Sequence, residues 1–441
     1  MYAPLISTSV TPTDKSPASY WHATHQSESF PSLSLNIDTE YLIIGGGYTG
    51  LSAAIALAEA KKNVTLLDAN NIGFGCAGRN AGFVLSGSGR LSLAAIEKNF
   101  SKRIALGMQR EFDDSVALLH QRISQYAMNV DLTKGPYIKL AHNKAQANNL
   151  RQNAIRQNLH FGSSIQLLSK SDIDARLDIR GIFGAVETQG ACLHPLKLAD
   201  EYARISTQLG ASLYCNTPVS AIVKHHDGYK IATTKGTVFA QNVIIASNAY
   251  TPKIFHKAVD NRQFPVQSSI LVTPPLTPEQ QKLTGLTSPM SFMDTRMMKY
   301  YYRVLPDGWL LFGGRGAVRG ENANSKTNQQ RLYHAMATMF PALKPLGIDY
   351  FWSGWVSVSL DSMPRIFTHD EGRLGYAMGY CGSGVAFAAY AGQQLVKRML
   401  DSDSVDTSLP LYQSPLPRYP FAACRRLALR GLYKWAKIAQ A

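Results

Sequence analysis

No apolar run in this chain reaches the roughly 20 residues that a helix needs to cross a bilayer. The first residues, MYAPLISTSVTPTDKSPASY, hold no basic stretch followed by an apolar core, so they do not read as a secretory leader. Cysteine is scarce and unpatterned. Five are scattered at 76, 192, 215, 381 and 424, none in a C-x-x-C pair. That argues against a disulfide framework and a thiolate metal site, and points to reduced thiols, no metal and a cytoplasmic location. Acidic residues are few, 30 against 45 Lys and Arg, leaving a formal charge of +15. Such an excess raises the question of nucleic acid or an acidic membrane. The cations are spread along the chain with one concentration near its end, so nucleic acid is not an expected partner. Apolar residues make up 45% and charged residues 17%, as in an ordered globular protein, and 441 residues suffice for two domains.

The best-defined stretch is Glu40 to Asn70. The apolar run 41–44 reads as a buried parallel strand. Gly45, Gly47 and Gly50 follow in G-x-G-x-x-G spacing, then a helical pattern from Leu51 to Ala60, a second apolar run Val64 to Leu67, and Asp68. Gly45 permits a sharp turn, Gly47 lets a pyrophosphate reach the backbone, and Gly50 lets the helix lie close on the strand. The helix N-terminus presents unpaired N–H groups and a positive dipole end. A carboxylate at Asp68 can accept both ribose hydroxyls and would repel a 2′-phosphate, which disfavours NADP. Strand, glycines, helix, strand and acid in this order predict a Rossmann-type dinucleotide site.

From 71 to 90 the chain is a loop with six glycines and few helix formers, long enough to wrap the middle of an extended cofactor. Arg79 and Asn80 are its strong polar groups before Ser86, and are candidates to face a reactive ring. Helices are expected over 92–128, and alternating strands over 263–340 predict a second, mainly antiparallel sheet. In the strand containing Tyr300, Tyr301, Tyr302 and Arg303, period two puts Tyr301 and Arg303 on one face. Arg303 beside Tyr301 could clamp a carboxylate, or be a surface cation on an edge strand. The aromatic group Ser19-Tyr20-Trp21-His22 in a polar arm (1–36) is expected to pack on the domain surface. Near the end, Tyr380-Cys381-Gly382-Ser383-Gly384-Val385 feeds a second helix N-terminus, suited to a group carrying negative charge. Finally, Arg426, Arg430, Lys434 and Lys437 form a basic stripe, with Leu427, Ala428, Gly431, Leu432, Trp435 and Ile438 largely opposite. Such a helix can dock its apolar face on its own protein, which is the expectation, or lie on an acidic membrane.

These motifs together resemble the flavin-dependent amino-acid and amine oxidases of the D-amino-acid oxidase, glycine oxidase and sarcosine oxidase superfamily, and within it the gamma-glutamylputrescine oxidoreductases. The likeness spans about Ser19 to Leu400 through SYWHAT, IIGGGYTGLSAA, VTLLDA, GFGCAGRNAGFV, CLHPLKLA, TPVSAI, VIIASNAYT, YYYRVLPDGWLLFGGR and GYCGSGVAFAAYAGQQLVKRM. It implies an α/β Rossmann-type FAD domain (37–90, 190–255 and 352–400), a substrate domain (91–189 and 256–351) and a tail (401–441). It implies FAD contacts at Gly45, Gly47, Tyr48, Thr49, Gly50, Asp68, Ala69, Gly78, Arg79, Asn80, Ala81, Val219, Ser247, Gly382, Ser383, Gly384 and Val385. Val219 would meet the adenine by its backbone. Tyr300 stands roughly where sarcosine oxidases carry a flavin-tethering Cys, so FAD is expected to be non-covalent, with Cys381 the nearby thiol. An Arg that amino-acid oxidases often carry after Trp-x-Gly is replaced by Trp355, which favours an amine with a remote carboxylate or none. The implied reaction takes a hydride from the carbon beside an amine nitrogen, with oxygen or another acceptor reoxidising the flavin. Arg303, Tyr301, Tyr302 and His22 are substrate-site candidates, as are His194 and Asp361. Two other readings keep the flavin: a membrane-associated dehydrogenase that reduces quinone, and an enzyme of modified RNA bases.

Overall fold

The strand Ile37–Ile44 is flanked on both sides by parallel partners, Thr237–Ile245 and Val64–Leu67. In the computed structural model, which describes residues 2–10, 16–87 and 89–439, this strand lies at the heart of an eight-stranded sheet. The order runs Arg365–His369, Leu374–Met378, Thr237–Ile245, Ile37–Ile44, Val64–Leu67, Ser212–Tyr214, with the hairpin Val219–His225/Gly228–Thr233 branching from Thr237–Ile245. Leu42 and Ile43 have no exposed surface, as expected of a run apolar on both faces.

The helix Tyr48–Glu59 covers this sheet at very short range. A Cβ on Gly50 would stand 1.9 Å from the Gly45 carbonyl oxygen, so only glycine lets the helix sit where it does. The later helix Phe387–Leu400 crosses it just as closely at Gly392, where a Cβ would come 2.2 Å from the Thr49 carbonyl.

A second sheet has nine strands, most of them antiparallel, as the alternating pattern predicts. Its boundaries differ from those expected. Phe83–Val84 and Tyr350–Val358 both belong to it, although the implied FAD segments 37–90 and 352–400 would have put them in the first sheet. Tyr350–Val358 pairs along nine residues with Phe264–Pro275, so it continues the second-sheet strands that precede it, and the chain returns to the first sheet only at Arg365–His369.

The arm is also more than peripheral. Ser19 caps the helix Tyr20–Thr24, Trp21 is completely enclosed, and Tyr20 donates to Asp307 at 2.8 Å. Trp355, far along the chain, donates its indole N–H to the Tyr2 carbonyl at 2.7 Å.

The helix Arg425–Ala439 docks on the protein by a face other than the expected one. Leu429 and Ala436 are buried with Tyr433 beside them, while Leu427, Leu432 and Trp435 are 66, 43 and 56% exposed. Arg425 decides the rotation by donating to the Gln263 carbonyl, which turns the Leu429 side inward. The side chains of Lys437 and Ile438 lie outside the described residues.

Candidate active site between the two sheets

The strands ending at Ile44, Leu67 and Ile245 open at their carboxyl ends into a cavity of about 770 Å³, whose other wall is the second sheet. Gly45 sits at φ +118°, which a side chain would strain. A Cβ on Gly47 would meet only the Ala77 methyl, at 3.9 Å, and would otherwise project into the cavity. Tyr48, Thr49, Ala69, Ala81, Val219 and Ser247 line the same space, as do Gly382, Ser383, Gly384 and Val385. Gly50 and Gly78 do not reach it; both permit close backbone packing, Gly78 lying so near Gly73 that a Cβ would stand 2.4 Å from its carbonyl oxygen.

Asp68 accepts the Gly46 N–H through one carboxylate oxygen and the Asn70 N–H through the other, each at 2.7 Å. Burial pushes its carboxyl up, and those two bonds oppose the shift.

Arg79 and Asn80 line the cavity, but their polar atoms hold the loop rather than reach across it. Arg79 donates to the carbonyls of Phe74 (2.8 Å) and Ser353 (3.1 Å). Asn80 donates to the Cys76 and Ala77 carbonyls and accepts from Gly82 N–H at 2.7 Å. Trp21 and Trp352 then clamp the loop from behind, donating to the Asn80 and Arg79 carbonyls at 2.9 and 3.0 Å.

Of the four substrate-site candidates, one reaches the cavity. Tyr301 does: its ring lies against Gly313, and its hydroxyl is 2.7 Å from Ser268 Oγ. Burial raises that phenol to about 12, so it stays protonated. Tyr302 faces the opposite side, fully buried and stacked on Phe292 and Phe312. Arg303 is neither clamp nor surface cation. It is 4% exposed, donates to the Leu193 carbonyl at 2.8 Å, and lies 5.5 Å from the Trp21 ring. Its strand is interior to the sheet, which an alternating pattern could not reveal. His22 lies outside the cavity wall, and burial with Arg79 nearby holds its imidazole at about 4, hence neutral. His194 caps the helix Pro195–Gln208, and Asp361 pairs with Arg365 at 2.5 Å; both are structural.

Sequence reasoning missed the cavity's cations. Lys139, Lys299, Arg315 and Arg90 all line it. Lys139 stands opposite Val186 and Met293, Met293 opposite Tyr301, and Arg315 opposite Ser268, so these side chains share one face of the second sheet. The polar positions Tyr137 and Lys139, alternating with Ile138 and Leu140, were the available signal. Burial lowers Lys139, and burial with Lys139, Arg315 and Arg90 nearby brings Lys299 down to about 8.

The profile of the family described as FAD dependent oxidoreductase matches residues 40–398. This chain belongs to that family. The oxidoreductase is 30% identical over 403 residues to gamma-glutamylputrescine oxidoreductase of Escherichia coli, covering 90% of this chain and 91% of the relative. It is 29% identical over 390 residues to a probable oxidoreductase, OrdL, of Haemophilus influenzae, covering 87 and 88%. In fold it is similar to the crystal structure of glycine oxidase from Geobacillus kaustophilus, with a TM-score of 0.69 at 21% identity, covering 87% of this chain and 99% of that one. FAD is therefore the cofactor, and the cavity fits it. An unobstructed glycine turn, a helix N-terminus and a half-buried carboxylate meet at one end, and a second glycine turn lies at the other wall. Cys381 is buried, with its thiol donating to the Gly379 carbonyl at 3.2 Å.

Proposed function

We propose that this oxidoreductase oxidises the C–N bond of an amine or amino acid, with amines of the gamma-glutamylputrescine kind as the leading substrates. One observation carries the reading: a single cavity runs from the glycine turn and Asp68 to the polar face of the second sheet around Tyr301 and Ser268. Bound FAD supplies the hydride acceptor. The substrate gives up a hydride and its N–H proton, and water hydrolyses the resulting imine to a carbonyl compound and a released amine or ammonia.

The chain's own residues bind and orient. Gly45, Gly47 and the N-terminus of the helix at Tyr48 and Thr49 hold the pyrophosphate; Asp68 and Ala69 hold the ribose; the Val219 backbone meets the adenine. Arg79, Asn80, Ala81 and Ser247 would line the path of the cofactor, while the turn from Gly382 to Val385 would offer the N–H groups of Gly382, Gly384 and Val385 to the ring edge where charge gathers on reduction, that of Ser383 being donated to the Tyr380 carbonyl at 3.0 Å. Gly50 and Gly78 act through packing alone. FAD is held without a covalent bond, and an amine that enters neutral needs no general base. Anaerobic mixing of the holoenzyme with polyamines, acylated amines, sarcosine and amino acids tests the reading. At least one class should bleach the flavin, and a panel without effect would sink it.

One observation favours the alternative in which a membrane quinone, rather than oxygen, takes the electrons. The outward face of the helix Arg425–Ala439 shows Leu427, Leu432 and Trp435 beside exposed Arg430 and Lys434, a composition that adsorbs to anionic bilayers and would bring the enzyme to a membrane quinone. Co-sedimentation with anionic vesicles that persists after deletion of 421–441 would rule this face out.

A further inference from the structure

The charge on the cavity wall is lopsided. Among the described residues Asp68 is its only carboxylate, and that lies at the nucleotide end. Lys139, Lys299, Arg315 and Arg90 line the other side, and none of the four forms an ion pair among the described residues. Asp294, the acid that acts on Lys299, is already bound by Arg296 at 2.6 Å. Among the described residues the Lys299 ammonium donates to the Gly89 carbonyl, at a long 3.5 Å.

Arg90 is exposed, whereas Lys139, Lys299 and Arg315 are half-buried, and half-buried cations without a partner are costly to keep unless an anion completes them. The described residues provide none, and the glycine cradle that suits the cofactor's phosphates lies on the opposite sheet. Arg315 and Lys139 stand three strand intervals and two residues of register apart, about 16 Å at the usual spacings. Lys299 feels both, and Tyr301 lies between them on the same face. A small compact ion would leave one end of this row unmatched; an elongated one would not.

We propose that Arg315, Lys139, Lys299 and Arg90 form an anion subsite, so that the substrate is an elongated amine whose carboxylate lies several bonds from the carbon oxidised. This rests on the amine-oxidising reading above and reassigns the carboxylate contact expected of Arg303.

The test uses FAD-loaded enzyme and two independent readouts. Equilibrium dialysis with radiolabelled glutarate measures the subsite without any turnover. Arg315→Met and Lys139→Gln should each weaken glutarate about 10- to 100-fold, the loss expected for a hydrogen bond to a charged group, at unchanged flavin content. Arg315→Lys should recover part of it. In steady state, kcat/KM for 5-aminopentanoate should fall by a similar factor, chiefly through KM, while pentylamine changes less than about threefold. If Arg315→Met loses its flavin, Lys139→Gln carries the decision alone. Wild-type enzyme that does not bind glutarate, that binds inorganic phosphate more tightly, or that turns over glycine better than 5-aminopentanoate would overturn the proposal. So would a shifted flavin midpoint potential with unchanged glutarate binding, which would assign the cations to the flavin itself. If no amine bleaches the flavin, the reaction assignment fails, whereas the glutarate result still judges the subsite.

Discussion

Asp68 lies at the end of its strand with both carboxylate oxygens held by backbone N–H groups, so its direction is set before any ligand arrives. Asp68→Ala should lower FAD affinity by about 10- to 100-fold, as expected when a charge-assisted bond is lost. Gly47→Val should purify without flavin, because its side chain would fill open cavity beside the turn. The ratio of absorbance at 450 nm to that at 280 nm checks both, and full flavin content in Gly47→Val would mean the cradle is elsewhere. Lys299 gives a pH dependence of definite sign. Its ammonium loses its proton near pH 8 in the free pocket, facing Lys139, Arg315, Arg90 and Asp294. Glutarate affinity should therefore be greatest below about pH 8 and decline above it, with bound anion moving the midpoint upward. Stability runs the other way: the unfolded lysine still binds a proton at pH values where the folded one has released it. The protein should therefore gain stability as pH rises from about 8 towards the ordinary lysine value. Dialysis across this range decides, and a flat profile would remove Lys299 from the subsite.

At the scale of single elements, the strand Tyr301–Val304 shows what a pattern can and cannot say. Alternation places Tyr301 and Arg303 on one face and Tyr302 on the other, and the structure agrees. Which neighbours flank the strand is not written in it, so the buried state of Arg303 was invisible. Arg303→Ala should destabilise the protein by about 2–3 kcal/mol by leaving the Leu193 carbonyl without its donor. It should leave KM for the best amine unchanged in the surviving fold. Thermal melts and kinetics on the same preparation separate the two roles, and a raised KM at unchanged stability would restore Arg303 to the substrate site. The nucleotide cradle was legible because its glycines and acid sit within one strand–helix–strand unit, where spacing is geometry. The cation row was not, because Lys139, Lys299 and Arg315 come from separate segments, and only the pairing through Met293 and Tyr301 aligns them. The tail helix was legible as an amphipath but not in its rotation. Its own period allowed several docked faces, and the bond from Arg425 to the Gln263 carbonyl selects one.

For the molecule as a whole, two sheets close on one cavity, and the proposed reading fills it with FAD held by many weak contacts and no covalent one. Precipitating the holoenzyme with acid should therefore release a yellow supernatant, whereas colour retained in the pellet would mean a flavin bond to the chain. Added FAD should raise the melting temperature of the apoprotein progressively with concentration, as mass action requires of a ligand that binds only the folded state.

The arm carries a further consequence, one about order of synthesis. Trp21 closes on Asn80, Tyr20 reaches Asp307, and the Tyr2 carbonyl waits for Trp355. The first strand needs Thr237–Ile245 beside it, and the cavity wall ends only at residues 382–388. Chains emerge from the ribosome N-terminus first, so the earliest-made part of this enzyme must wait for the latest-made part before it can hold a nucleotide. Flavin loading is thus an event of the finished or nearly finished chain, and ribosome-stalled chains that end before residue 380 should capture no FAD.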